Sequence, residues 1–203
     1  YAFSFTGANG SRCTTRFRVA PGSGDVTLVQ EGQSEREKLS AIRWGISGLP
    51  THRVRVIVPG MSGVSFTKGA PFSSLTFGWP TGWEAGMVLL QQEKGGFLIR
   101  AVDPDMRFKR LDLKHARNCF SLHFSTQGEA PFDTAKAISS VEWHITAYAG
   151  DWRTGAEIYR KQMARQFELT PLAEQRPAWA KDIRAVVICG LRTDVIEELT
   201  RHV

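Results

Sequence analysis

Ala85-Gly86-Met87-Val88-Leu89-Leu90-Gln91-Gln92 and Phe97-Leu98-Ile99-Arg100-Ala101-Val102 are two short, largely apolar runs joined by Glu93-Lys94-Gly95-Gly96. Runs of this length bounded by turn residues are strands. Two of them across a Gly-Gly junction predict a hairpin, with the glycines supplying the positive φ of a tight turn. Strict alternation extends the pattern on both sides. Upstream, Ile42, Trp44 and Ile46 alternate with Arg43, Gly45 and Ser47, and Val54, Val56 and Val58 alternate with Arg53, Arg55 and Ile57 before Pro59-Gly60. Downstream, Phe120, Leu122 and Phe124 alternate with Cys119, Ser121 and His123. Val141, Trp143, Ile145 and Ala147 then alternate with Glu142, His144, Thr146 and Tyr148.

A period of two puts one apolar face on each strand. Many such strands separated by turns predict two antiparallel sheets packed face to face as a sandwich. Residues 1–39, rich in Gly and Ser, read as a strand region of the same sandwich.

Beyond residue 150 the period changes. Asp151 is placed to cap a helix, with Trp152, Ala156, Tyr159, Met163 and Phe167 along one stripe and Arg153, Glu157, Arg160, Lys161 and Arg165 opposite. This predicts a docking helix that buries its stripe against the sandwich or a following domain. Leu169 to Trp179, with Pro171 and Pro177, reads as a semi-extended linker anchored by Trp179. Ile183 to Cys189 is apolar at all but one position, as in a strand buried on both faces of a parallel sheet. Gly190 ends it, and Thr193 or Asp194 caps a final helix. The predicted organisation is an antiparallel β-sandwich over 1–150, a linking helix and Pro-containing linker over 151–180, and the first strand and helix of an incomplete α/β barrel over 181–203.

Hydrophobic content of 42% and charged content of 23% are those of an ordinary globular chain. No apolar run is long enough to span a bilayer as a helix, which argues against a membrane partner. The net charge of +6 is scattered from Arg12 to Arg201. Its densest patch (Arg107, Lys109, Arg110, Lys114 and Arg117) is interrupted by Asp105 and Asp112, so a solvated strand face explains it better than a nucleic-acid track. Cys13, Cys119 and Cys189 form no CxxC and have no His at zinc-binding spacing, and they read as buried, unpaired thiols. No metal or cofactor is expected. The start, Tyr1-Ala2-Phe3-Ser4-Phe5, has neither an initiator Met nor a basic-then-apolar leader, so either a leader was removed or the sequence starts inside a longer one, and a cytoplasmic and a secreted or periplasmic location both fit.

The stretch GWEAGMVLLQQEKGGFLIRAVDP (Gly82–Pro104) resembles a segment of the N-terminal β-sandwiches of bacterial glycoside hydrolases. GDWRTGAEIYRKQM (Gly150–Met163) resembles the helix that leads from such a sandwich towards a (β/α)₈ barrel, and PAWAKDIRAVVICG (Pro177–Gly190) the entry into the first barrel strand. The group is the α-galactosidase-like and endo-α-N-acetylgalactosaminidase-like assemblage, whose sandwich is a galactose-mutarotase-like supersandwich. The resemblance covers residues from about 40 to 203, and the order of elements carries it more than any one motif. It implies a catalytic barrel beside this sandwich, with acid and nucleophile or base at the C-terminal ends of barrel strands. Their carboxyl groups would lie roughly 5–5.5 Å apart for retention and 6.5–9.5 Å for inversion. No catalytic residue carries over, because the one barrel strand ends at Cys189-Gly190 without a carboxylate and Asp194 reads as a helix cap.

Sugar binding stacks a pyranose on an exposed aromatic ring while carboxylates take the hydroxyls. Trp79 and Trp83, flanking Pro80-Thr81-Gly82, and Asp103, before Pro104, are the carbohydrate-binding candidates. The competing reading makes the tryptophans plugs at the end of the sandwich and Asp103 a turn residue. Glu142 and His144 share a strand face and could be set as the acid and base of a mutarotase-like site, although such pairs are commonplace on polar strand faces. Ser62 to Thr67 is rich in hydroxyls but has no recognisable triad.

Three functions follow from these readings. The leading one is a non-catalytic sandwich of a barrel glycoside hydrolase, supporting the barrel and lining its cleft, with an oligo- or polysaccharide and the barrel domain as partners. The others are a free-standing carbohydrate-binding module and a mutarotase-like sugar epimerase acting on the sandwich.

Overall fold

The structure, a computed structural model, describes residues 1–36, 38–131, 134–171, 174 and 177–181. The chain divides into a unit Tyr1–Phe167 and a unit Glu168–Val203. The first contains β1 (Ala2–Thr6), β2 (Arg12–Val19), β3 (Val26–Gln33), β4 (Ala41–Pro50), β5 (Arg55–Val58), β6 (Val64–Phe66) and β7 (Ser74–Trp79). It continues with β8 (Met87–Gln92), β9 (Gly95–Val102), β10 (Lys109–Ala116), β11 (Cys119–Gln127), β12 (Ala137–Ser139), β13 (Glu142–Ala149) and α1 (Trp152–Gln166).

The strands form two antiparallel sheets. The larger runs β1-β2-β3-β13-β9-β8-β5-β6, with β12 also paired to β3, and the smaller runs β4-β11-β10-β7. Facing residues of the two sheets make the main core, in which Val56, Val88, Ile99, Leu111, Leu113, Phe120, Leu122 and Phe124 are fully buried. Val56, Phe120, Leu122 and Phe124 are apolar positions of the alternating runs, and Val88 and Ile99 lie in the two hairpin runs, so the expected sandwich is the fold observed. The larger sheet is the wider one, and Phe3 and Phe5 on its β1 edge strand stay 61% and 63% exposed.

The predicted hairpin forms between β8 and β9, with register pairs from Gln92↔Gly95 to Met87↔Arg100. The glycines serve a different purpose from the one expected. Neither has positive φ; both lie inside β9. A Cβ on Gly95 would stand 2.3 Å from the Tyr148 carbonyl oxygen, and one on Gly96 would stand 2.6 Å from the Tyr148 hydroxyl. Close packing against β13, not turn geometry, selects glycine here.

Helix α1 starts where predicted. The Asp151 carboxylate accepts the Arg153 N–H at 2.9 Å. Its apolar stripe lies on the outer face of the larger sheet, where Trp152, Ala156, Ile158 and Tyr159 pack against Met87, Leu89, Leu98 and Tyr148. The alternation had assigned Tyr148 to the polar face of β13. That face is covered by α1, and Tyr148 is buried.

The second unit contains a 3₁₀ turn, Ala178–Lys181. Trp179, in this turn, is 68% exposed. The expected barrel strand Ile183–Cys189 and the helix capped near Asp194 lie outside the described residues.

Candidate functional site

Two of the three predicted sugar contacts meet in one cavity of about 200 Å³ where α1 crosses the larger sheet. Trp79 ends β7 and Asp103 follows β9; Lys109, Tyr159 and Met163 complete the walls. Register brings Lys109, the first residue of β10, beside Trp79.

The lysine belongs to the patch that the sequence assigns to a solvated strand face. It points inward instead and is 3% exposed. Its ammonium donates to Asp103 Oδ2 at 2.5 Å and to the Arg107 carbonyl at 2.7 Å, and sits 3.9 Å from the Trp79 ring centroid. Burial pushes the ammonium below its ordinary value, against the hydrogen bond and charge of Asp103, which favour the charged form. A buried ion pair capped by an aromatic face is a self-satisfied unit. One face of Trp79 and one oxygen of Asp103 are therefore already occupied.

Trp83 is not in this cavity. It is fully buried, stacks on Trp143 with ring centroids 6.3 Å apart, and donates its indole N–H to the Met87 carbonyl at 2.9 Å. The expectation that Trp83 contacts a sugar is corrected by this burial, since no face of the ring is open. Its polar atom is satisfied inside the core, as a buried indole requires.

Glu142 and His144 do share the outer face of β13, and His144 Nε2 lies 2.5 Å from Glu142 Oε1. The two groups engage each other rather than facing one another across an open cleft. His144 Nδ1 is buried without a partner. Next to His144 on β9 lies Arg100, 8% exposed, whose register partner on β13 is His144 itself.

Arg100 and Lys109 are the polar residues that sequence reasoning passed over. Each is a charged residue inside an otherwise apolar or mixed strand, and that was the signal available. Cys13 and Cys119 are free thiols. Among the described residues no group of three His, Cys, Asp or Glu side chains could hold a metal ion, and no helix is long and apolar enough to cross a membrane.

No protein-family model and no curated protein sequence matches the chain. Among solved structures, α-N-acetylgalactosaminidase NagBb from Bifidobacterium bifidum is similar. Its quadruple mutant matches with TM-score 0.65 and 13% identity, and its GalNAc complex with TM-score 0.63 and 11% identity, each over 86% of this chain. The chain spans 29% and 32% of the length of those two chains. The fold shared with part of that structure is an antiparallel β-sandwich followed by a helix, the fold class expected from the sequence.

Proposed function

We propose that the chain is the non-catalytic sandwich of a carbohydrate-active enzyme, supporting a catalytic barrel that follows it. The observation that carries this reading is the seating of α1. Its Tyr159 and Gln162 are hydrogen-bonded to the backbone of the larger sheet at Gly86 and Ala101, so the linking helix is fastened to the sandwich. The likeness to under a third of NagBb supports it, because a region of that share fits an accessory part better than a whole enzyme. The self-paired Lys109 and Asp103 also suit a supporting seam.

The test compares residues 1–203 with the polypeptide of the whole reading frame on p-nitrophenyl N-acetyl-α-D-galactosaminide and in a galactose mutarotation assay. Turnover by the longer polypeptide and none by the shorter is the expected result. Hydrolysis or mutarotation by residues 1–203 would overturn the reading. Saturable binding of neutral GalNAc by residues 1–203 would overturn it in favour of a free-standing binding module.

A further inference from the structure

Arg100 is a buried cation whose hydrogen bonds among the described residues all go to neutral groups. Its Nε donates to Gln162 Oε1 and its Nη1 to Thr146 Oγ1, both at 2.5 Å. A guanidinium carries five N–H donors, so three remain. Burial weighs against its charge, and Asp25 opposes this only through its field, without a hydrogen bond. A buried charge normally sits against an opposite one.

The surroundings of Arg100 make the imbalance larger. It opens on a groove of about 510 Å³ between β9, β13 and α1, whose other polar walls are His144, Lys161, Arg165, Gln162 and Gln166. Among the described residues no carboxylate lines this groove. Glu142, the register partner of Val102, already engages His144, and Glu157 is held by Arg160 at 2.6 Å with Lys161 at 3.8 Å. Lys161 and Arg165 are one helical turn apart and so present their charges on the same side of α1. Gln162 holds Arg100 in place: its Nε2 donates to the Ala101 carbonyl at 3.0 Å and to Gln166 Oε1 at 3.3 Å, while its own oxygen takes the Arg100 Nε. The guanidinium is therefore oriented before any ligand arrives, with its unused fork free for an oxyanion.

Size and lining narrow the ligand. A groove of this volume lies within the range of small-molecule sites and exceeds what a bare inorganic ion fills. Val102 and Ile158 supply an apolar wall beside the cations. That pairing suits the C–H face of a sugar ring whose substituent is charged.

We infer that the groove between α1 and the outer face of the larger sheet binds a saccharide bearing a carboxylate or sulfate group, gripped by Arg100 with Lys161 and Arg165. The site does not rest on the accessory role proposed above.

The test titrates ¹⁵N-labelled residues 1–203 at constant ionic strength with D-glucuronate, D-galactose 6-sulfate, inorganic sulfate and D-galactose. Arginine Nε–H and backbone amide signals are followed by NMR. Saturable shifts at Arg100, Thr146 and Gln162 are expected with one or both charged sugars and not with galactose. Binding should weaken at least tenfold in Arg100→Lys, which keeps the charge but loses the fork, and in Lys161→Gln/Arg165→Gln, whose changes lie on the helix surface and leave the core intact. Inorganic sulfate binding as tightly as both charged sugars would overturn the saccharide assignment. Absence of saturable shifts, equal binding of galactose, or unchanged affinity in the helix double variant would overturn the site altogether.

Discussion

The Tyr159 hydroxyl, midway along α1, accepts the backbone N–H of Gly86 at the entry to β8, at 3.1 Å. A half-buried phenol on a helix thus satisfies an N–H that the β8–β9 ladder leaves free. It fastens the helix to the sandwich.

Tyr159→Phe removes this bond and leaves the ring in place. The expected loss is about 1 kcal/mol of unfolding free energy, with the Gly86 N–H left short of a partner. Urea unfolding followed by tryptophan fluorescence measures it. No change in midpoint would mean that water replaces the phenol and the helix is held by its apolar stripe alone.

Gly155 is the buried residue of α1, and a Cβ there would stand 2.5 Å from Leu89 Cδ2 and 2.8 Å from Tyr148 Cε1. Gly155→Ala should therefore destabilise the fold by about 1–3 kcal/mol through overpacking. Helix propensity alone predicts the reverse, a gain of up to about 1 kcal/mol. The sign of the shift in melting temperature decides between them.

Burial pushes the Tyr148 phenol from its ordinary 10.0 to about 12, while its hydroxyl donates to Gln91 Oε1 at 2.9 Å. Between those two values the folded chain holds a proton that the unfolded chain has released. Stability should fall as pH rises through this window, being complete below it. Denaturant melts from pH 9 upward, compared with Tyr148→Phe, test this; the variant should lose part of the alkaline slope. An identical slope in both proteins would place the effect elsewhere.

Asp112 shows the opposite linkage. Burial alone would raise its pKa, but the Thr76 hydroxyl at 2.8 Å and Arg43 at 2.5 Å, together with the charge of Arg110, bring it below the ordinary 3.8. Its contribution is present above that value and disappears as pH falls through the lower folded one. Asp112→Asn should cost about 1–3 kcal/mol at neutral pH and flatten the acid limb of the stability profile. Equal acid limbs in the two proteins would exclude this carboxylate as a source of acid lability.

Trp83→Ala should cost about 3–5 kcal/mol, since it empties a fully buried site beside Trp143 and Phe124. Trp79→Ala, at a half-buried ring, should cost less and should strip Lys109 of its aromatic cover. Thermal melts of both variants check the order. Equal melting temperatures would contradict the core placement of Trp83.

Much of this fold could be read from the chain directly. Alternation at Ile42–Ser47, Val54–Val58 and Phe120–Phe124 and the Asp151 cap are local signals, because strand and helix periods are properties of a few consecutive residues. They decided that the chain forms strands with one apolar face and then an amphipathic helix.

The environment of each side chain was a tertiary matter. Whether Tyr148 faces water depends on where α1 lies, and whether Lys109 is solvated depends on the strand partners that set it beside Trp79 and Asp103. Gly95 and Gly96 look like turn residues until β13 is laid against them. Arg100 and Gln162 are 62 positions apart, and no local pattern announces that they meet. Burial and pairing are set by what packs from elsewhere in the chain, so hydrophobic period names the elements while only their assembly assigns each polar group its partner.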